Sequence, residues 1–234
     1  MRRDSVIIAI DGPAASGKST TAKKVAEQLS FIYVNTGAMY RAVTLAVLKA
    51  GIDPNIEERV NAILPDLVIS IEATDSGSKT FLDGEDVTRE IRKTAVTKHV
   101  SVVSAMPTVR EEMVAIQRRI ATGKNAVVEG RDIGTVVFPQ AELKFYITAS
   151  YKVRAKRRQE DLKELGIKLS IEEIISDLQR RDGIDSSRTF SPLMKADDAI
   201  VVNTTDLTIN EQVTFIVEKV EEYLSGRRET KIDE

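Results

Sequence analysis

Cysteine is missing from this 234-residue sequence, which excludes disulfides, thiol nucleophiles and thiolate metal sites. A charge excess of one sign is also missing, because the formal net charge is only -2 at pH 7. No overall electrostatic field therefore attracts nucleic acid or an anionic membrane, and any basic site must be local. We expect neither nucleic acid nor a membrane as a partner.

Long hydrophobic runs are lacking as well. The apolar segment 6–10 follows two arginines, but it is shorter than the roughly seven residues that a secretion signal needs. No run approaches the roughly 18 apolar residues of a membrane span. We therefore expect a cytoplasmic protein, and a monomer.

The residues that are present describe a globular chain, with 42% hydrophobic and 30% charged residues. Short β-prone apolar runs alternate with segments of helical pattern, such as 19–29 and 38–50. This alternation favours one α/β domain over residues 1–234, with a parallel central sheet flanked by helices. The predicted strands are 5–10, 31–34, 125–128, 143–148 and 199–202.

The pattern changes in segment 64–87, where alternating residues and the Asp83-Gly84 pair predict a small antiparallel hairpin sheet inserted into the domain. A helix is expected over 108–122, after Pro107. Two further helices should begin with capping boxes, Ser170 with Glu173 and Thr208 with Glu211. Residues 226–234 form a polar tail that we expect to fray.

One motif fixes the chemistry. Residues 12–19 (GPAASGKS) fit the pattern G-x-x-x-x-G-K-[ST] between a buried strand and a helix, the arrangement that cradles a polyphosphate. Lys18 would bridge the β- and γ-phosphates, and Ser19 would hold Mg²⁺. The predicted ATP-binding residues of this loop are Gly12, Pro13, Ala14, Ala15, Ser16, Gly17, Lys18, Ser19 and Thr20.

The motif leaves the phosphoryl acceptor open. A GTPase is excluded, because the sequence contains neither a D-x-x-G switch nor an N-K-x-D guanine reader. A P-loop ATPase remains possible, since an apolar strand ends in Glu129. A kinase for a sugar or hydroxy acid and a non-catalytic nucleotide-binding module also remain open.

A second anion site is indicated at the carboxyl ends of the strands, where ligands collect in parallel sheets. Segment 35–41 (NTGAMYR) follows the second strand, and segment 129–132 (EGRD) follows the strand at 125–128. Arg41 and Arg131 should therefore face the same crevice as Lys18. The planar fork of arginine suits a phosphate.

Five segments in this order carry a family resemblance: IAIDGPAASGKST, TGAMYRA, EGRDIGTVVFP, RRDGIDSSR and SPLMKADDAIVVNT. On them, the chain resembles the bacterial cytidylate kinases, which are nucleoside monophosphate kinases, from about Val6 to the last helix. The resemblance implies a P-loop fold with an acceptor-binding insertion, about 63–95, and a short helical lid, about 152–168. It implies phosphoryl transfer from ATP, with Mg²⁺, to cytidine monophosphate (CMP) and deoxycytidine monophosphate (dCMP).

The resemblance also implies roles for individual residues. Arg41, Arg131 and Arg188 would hold the acceptor phosphate, Arg181 and Asp185 the ribose, and Ser101, Arg110 and Asp132 the base. Thr36 and Tyr40 complete the expected acceptor site, and Lys18, Arg131 and Arg188 are the expected catalytic residues. Arg154 and Arg158, at positions i and i+4 of one helix, would close over the donor phosphates.

The chemistry of the base agrees with these assignments. Cytosine presents an amino group beside two acceptors, so a reader needs a carboxylate and a donor, and Asp132 and Arg110 supply them. The chain departs from the family pattern at Asn35 and Glu129, where the family commonly and often, respectively, has aspartate. Asn35 keeps an oxygen acceptor but loses a negative charge, and Glu129 is one methylene longer than aspartate, so the sequence leaves open how the two departures affect Mg²⁺ binding.

Overall fold

The computed structural model describes residues 5–74, 77–164 and 166–232. Within them, a five-stranded parallel sheet has the strand order β2-β6-β1-β7-β8, and a three-stranded antiparallel sheet has the order β3-β4-β5. The strands are β1 (Ile7–Asp11), β2 (Ile32–Asn35), β3 (Ile69–Thr74), β4 (Gly77–Leu82), β5 (Glu85–Asp86), β6 (Ala126–Gly130), β7 (Leu143–Thr148) and β8 (Ile200–Asn203).

Helices cover both faces of the parallel sheet, as the alternating sequence pattern predicts. They are α1 (Lys18–Leu29), α2 (Thr36–Lys49), α3 (Glu57–Ile63), α4 (Thr94–Val103), α5 (Pro107–Ala121), α6 (Tyr151–Glu164), α7 (Ile171–Ser187) and α8 (Ile209–Ile232). A short π-helical turn, Ile133–Val137, follows β6. The predicted α/β class with a parallel sheet and a small antiparallel insertion is confirmed.

The central strand β1 shows why the sheet is parallel and buried. All of its residues are buried, and they alternate between two core clusters. Ile8 and Ile10 pack on one face with residues of α1 and α8, whereas Ile7 and Ala9 pack on the other with residues of β6 and α5. A strand covered on both faces needs a continuous apolar run, and the sequence of β1 supplies it.

The inserted sheet is joined to the core through α2. Val43 and Val47 of α2 pack in one cluster with Leu82 of β4 and with Val87 and Ile91, which follow β5. The turn between β4 and β5 contains Asp83 at φ 51° and Gly84 at φ 83°. Two consecutive left-handed residues are what a tight hairpin turn requires, so the Asp-Gly signal was read correctly.

The two predicted capping boxes are confirmed. The Ser170 hydroxyl accepts from the backbone of Glu173, whose carboxylate accepts from the Ser170 backbone at 2.8 Å. Thr208 and Glu211 make the same reciprocal pair.

Three other features bear on the predicted segments. Helix α8 extends through most of the predicted tail, and residues 233–234 lie outside the described residues. The predicted lid segment contains α6, and its residue 165 lies outside the description. Across the described ranges, no helix combines the length and apolarity that crossing a bilayer demands.

Candidate active site

The phosphate loop between β1 and α1 has a backbone that only this sequence pattern allows. A Cβ built on Gly12 would lie 2.1 Å from the carbonyl oxygen of Ile147, so no side chain fits there. Ala15 and Gly17 have φ values of 57° and 95°, in the left-handed region. Left-handed residues within a turn curl the chain into a concave nest that binds anions.

Lys18 is buried beside this loop, and its Nζ donates to the carbonyl of Pro13 at 3.1 Å. Burial and, after it, the nearby positive charge of Arg131 together lower the pKa of Lys18 to about 7, against the opposing effect of Glu129. The negative charge near Lys18 is therefore too small to offset the effects of burial and of Arg131. A polyphosphate in the loop would provide that charge.

A chain of hydrogen bonds surrounds the carboxylate of Glu129, at the end of β6. Glu129 accepts from the Ser19 hydroxyl at 2.8 Å and from the Tyr33 hydroxyl at 2.5 Å, and the Asn35 amide donates to Tyr33 at 3.2 Å. Burial and the adjacent Glu129 raise the pKa of Tyr33, so its hydroxyl stays a donor. A hydroxyl and a carboxylate side by side are the oxygen ligands that suit Mg²⁺.

Asp11 is a site residue that the sequence reasoning missed. Its carboxylate accepts from the backbone N–H groups of Ile133 and Gly134, both at 2.8 Å. Burial raises the pKa of Asp11 to about 6, and these two hydrogen bonds oppose that rise. The contacts fix the π-helical turn directly after Asp132. A carboxylate that ends a buried apolar strand was the available signal.

The ten predicted acceptor-site residues line a single cleft, and two of them, Arg131 and Arg181, lie near enough to Lys18 to lower its pKa. The sequence reasoning missed four further lining residues, two of them glycines. The predicted residues in the cleft are Thr36, Tyr40, Arg41, Ser101, Arg110, Arg131, Asp132, Arg181, Asp185 and Arg188, and those missed are Gly37, Val100, Ser104 and Gly130.

One end of the cleft is built around Arg110 and Asp132. Arg110 donates to the Asp132 carboxylate and, at 3.0 Å, to the carbonyl of Ser104. The Tyr40 ring faces the same guanidinium, with its centroid 5.1 Å away. Donor and carboxylate are thus adjacent and buried, in the arrangement that reading a polar ring edge requires.

The other end of the cleft is crowded with guanidinium groups. Arg131 donates to Asp185 at 2.9 Å, and Arg188 lies 3.8 Å from Asp185 and 4.0 Å from Asp132. Burial alone would raise the pKa of Asp185, but Arg131 and the other guanidiniums hold it below its usual value.

The pKa of Arg41 shows that positive charge is in excess in this part of the cleft. Burial and, after it, the guanidiniums of Arg181, Arg158 and Arg131 together lower the pKa of Arg41 to about 9. Such a cluster is stabilised by a bound anion.

The two arginines predicted to close over the donor phosphates have different environments. Arg154 is buried and donates to the carbonyl of Ala14 at 3.0 Å and to Asp182 at 2.7 Å. Arg158 is partly exposed and lies 3.9 Å from Asp161. Arg157, which the sequence reasoning passed over, donates to the carbonyl of Ser16 at 3.0 Å. Nothing in its basic run distinguishes it from its neighbours.

A phosphate loop that faces an arginine-lined cleft across the ends of a parallel sheet defines the class of P-loop kinases. The family model for cytidylate kinase matches residues 8–222. The chain belongs to the cytidylate kinase family.

Individual relatives agree with this membership. The chain is 50% identical to the cytidylate kinase of Caldanaerobacter subterraneus subsp. tengcongensis, over 95% of this chain and 97% of that protein. It is 47% identical to the cytidylate kinase of Halalkalibacterium halodurans, over 92% and 97% of the two chains. A solved structure of an uncharacterized protein from Eubacterium ventriosum matches with a TM-score of 0.50 at 13% identity, over 94% of this chain and 99% of that one, and shows the fold alone.

Proposed function

We propose that this protein transfers the γ-phosphoryl group of ATP to CMP, and also to dCMP, giving the diphosphate and ADP. The observation that carries the proposal is the cleft lined by Arg41, Arg131 and Arg188, in which Arg131 lies near enough to Lys18 to lower its pKa. Two concentrations of positive charge side by side suit two phosphates that meet head-on. Relatives named as cytidylate kinases, at up to 50% identity, support the choice of acceptor.

The chemistry needs positioning and charge neutralisation rather than a covalent intermediate. The acceptor phosphate is already an anionic nucleophile, so no general base is required. Lys18 would neutralise charge on the β- and γ-phosphates, and Arg131 and Arg188 would neutralise charge on the transferring group and the acceptor. Ser19 and Glu129 would hold Mg²⁺, which neutralises further negative charge when it is bound with ATP.

Each part of the cleft has a proposed partner on the nucleotide. Arg41, Arg131 and Arg188 hold the acceptor phosphate, and Arg181 and Asp185 hold the ribose. Ser101, Arg110 and Asp132 read the base, and Thr36 and Tyr40 shape the pocket around it.

The Arg110–Asp132 pair explains a preference for cytosine. Asp132 accepts from the amino group of cytosine, whereas uracil would direct an oxygen acceptor at this carboxylate. Leaving a buried carboxylate against an acceptor costs about 1 to 3 kcal/mol or more. We therefore propose that CMP is preferred over uridine monophosphate (UMP).

Closure would protect the bound ATP from water. A γ-phosphate beside water would be hydrolysed, so excluding water favours transfer to CMP. We propose that residues 63–95 close over the acceptor and that residues 152–168, with Arg158, close over the donor. The monomeric state and the cytoplasmic location stay predictions.

An acceptor panel tests the function. ADP formation from ATP is followed with CMP, dCMP, UMP, a sugar, a hydroxy acid or no acceptor. We expect ADP with CMP and dCMP and little with the others. ADP formed without an acceptor would indicate an ATPase, and ADP formed with the sugar or hydroxy acid would indicate another small-molecule kinase. No ADP under any condition, with ATP still bound, would indicate a binding module.

A further inference from the structure

The backbone carbonyls of the phosphate loop, rather than its N–H groups, are the basis of this inference. A nest that directs N–H groups at an anion leaves carbonyl oxygens facing the surrounding protein, and buried carbonyls need donors. Three carbonyls of this loop have a cationic donor. Lys18 donates to Pro13, Arg154 to Ala14 and Arg157 to Ser16.

We propose that Arg154 and Arg157 of α6 are positioning residues that hold the phosphate loop in its nucleotide-binding shape by binding two of its carbonyls. The proposal deepens the proposed function and rests on it, because it concerns the same ATP site. It assigns Arg157 a role at this site and places the action of Arg154 on the loop backbone instead of on the phosphates.

Arg154 is held rigidly on the far side of the loop. Its guanidinium binds both the Ala14 carbonyl and the Asp182 carboxylate, and it lies over the Tyr151 ring at 4.3 Å. The methyl group of Ala14 packs in a cluster with Ala155 of α6 and with Leu178 of α7. Arg154 therefore belongs to a packed wall behind the loop.

Arg157 joins the loop to the segment after β8. One Nη donates to the Ser16 carbonyl and to the Thr204 hydroxyl, both at 3.0 Å, and the other donates to the Thr204 carbonyl at 2.8 Å. Thr204 is fully buried, and its hydroxyl also lies 3.0 Å from the Ser16 carbonyl. A Cβ on Gly17 would lie only 3.3 Å from the guanidinium, so glycine permits this close approach.

The physical effect is preorganisation. A guanidinium bound to a carbonyl fixes that peptide group, and it polarises the peptide so that its N–H carries more positive charge. Fixed dipoles aimed at the phosphates need little reorganisation when ATP binds. The first half of α6 then acts as a support of the loop, so the segment that closes over the donor narrows from 152–168 to the residues beyond Arg157.

Binding measurements with Arg157→Ala test the proposal. ADP and CMP affinities are measured separately by calorimetry, together with the melting temperature. We expect ADP affinity to fall by roughly tenfold or more, because hydrogen bonds from charged donors to two carbonyls are lost. CMP affinity should stay within about twofold, since Arg157 does not line the acceptor cleft.

A matched control is Arg118→Ala. Arg118 of α5 also donates to two backbone carbonyls, those of Val136 and Val137, at 2.8 and 2.9 Å. Its loss should leave ADP affinity unchanged. If ADP affinity survives in Arg157→Ala, or if ADP and CMP affinities fall equally in it, the proposal is overturned.

Two further variants keep the test decisive if Arg157→Ala does not fold. Arg157→Lys keeps the charge but loses the fork that reaches both Ser16 and Thr204, and Thr204→Val removes one hydroxyl bond to the loop. Both should weaken ADP binding relative to the wild type and leave CMP binding intact, and unchanged ADP affinity in both would overturn the proposal. A wild type that binds ADP but fails the acceptor panel would overturn the proposed function alone.

Discussion

Arg110 and Asp132 form an ion pair whose side chains are only 2% and 4% exposed. A buried pair of this kind adds little net stability, but removing one partner leaves the other charge uncompensated. The pair is also near Arg188, whose guanidinium lies 4.0 Å from Asp132. Two cations and one carboxylate at the end of the cleft make this region sensitive to any change in charge.

Asp132→Asn should change both stability and selectivity. Loss of the carboxylate should lower the free energy of unfolding by about 3 to 5 kcal/mol. The ratio of kcat/KM for CMP over UMP should fall by roughly tenfold or more, because an amide presents a donor as well as an acceptor to the base. The control is Asp161→Asn, at a carboxylate that is 67% exposed on α6. A wild-type enzyme that uses CMP and UMP equally would remove Asp132 from the role of reader.

Arg188→Ala should lower kcat and raise the KM for CMP together. Arg188 contacts Asp132 and Asp185 across the cleft, and its side chain is 5% exposed. Steady-state kinetics with CMP as the varied substrate measures both effects. Arg180→Ala, which removes an exposed arginine of α7, the helix that ends just before Arg188, should behave as the wild type. If kcat and KM are both unchanged in Arg188→Ala, Arg188 has no part in binding the acceptor.

Lys18→Ala should leave the fold intact and lower turnover by roughly 10³-fold or more, because one cation beside a transferring phosphoryl group has an effect of this size. Circular dichroism checks the fold, and the coupled assay measures turnover. Lys24→Ala, at an exposed lysine of the same helix α1, is the control. Near-normal turnover in the Lys18 variant would contradict its assigned role.

The pKa of Lys18 also predicts how stability depends on pH. Burial is the main cause that lowers it from 10.5 to about 7. Between these values the unfolded chain binds a proton that the folded chain does not, so stability rises with pH across this range. Lys18→Met removes the group and its penalty. Without nucleotide, this variant should melt above the wild type near about pH 6, with a difference that shrinks towards about pH 10. A difference that stays constant with pH would contradict the prediction.

Tyr33→Phe should weaken the Mg²⁺ dependence of nucleotide binding. The variant loses the donor that fixes the Glu129 carboxylate beside Ser19. Removing a partner that orients a metal ligand costs roughly tenfold or more in metal affinity. Calorimetry of ADP binding over a range of Mg²⁺ concentrations measures the change. Tyr223→Phe is the matched control, because Tyr223 lies in α8 and packs against the core away from Glu129. An unchanged Mg²⁺ requirement would show that Tyr33 does not act on this site.

The sequence predicted the fold well wherever local pattern and long-range packing agree. The five parallel strands were all placed, but four of them lie one or two residues further along than predicted. At β1 and β6 the predicted strand ends too early because the residue that follows the apolar run, Asp11 or Glu129, is polar. Both residues are buried and continue their strands into the site. An apolar-run criterion stops one or two residues too soon at such positions.

Several of the described elements, among them α3, α4 and the π-helical turn, were not predicted. Helix α4 begins at Thr94 without a side-chain cap, so the usual start signal is missing. The π-helical turn at Ile133–Val137 is held by Asp11, a residue more than a hundred positions earlier in the chain. Contacts of this range leave no local pattern in a single sequence.

For the site, the sequence predicted which residue types take part, but not which groups of the protein each side chain contacts. The convergence of Arg41 and Arg131 followed from where their strands end. The place of Arg154 behind the loop, and the role of Arg157 beside it, depend on the packing of α6 against the loop and β8. Helical periodicity puts Arg154 and Arg158 on one face of α6, but it does not tell which neighbouring elements that face contacts.

The segment at the end of β6, residues 129–132, contacts both the phosphate loop and the acceptor cleft. Glu129 contacts Ser19 at the base of the phosphate loop, and Arg131 and Asp132 line the acceptor cleft. Because β6 pairs with both β1 and β2, its register is fixed from two sides. The spacing between the two substrates is therefore set by the backbone pairing of β6 with its neighbours. Changing the acceptor requires new side chains around the cleft. A shift in the register of β6 would instead misalign both nucleotides at once.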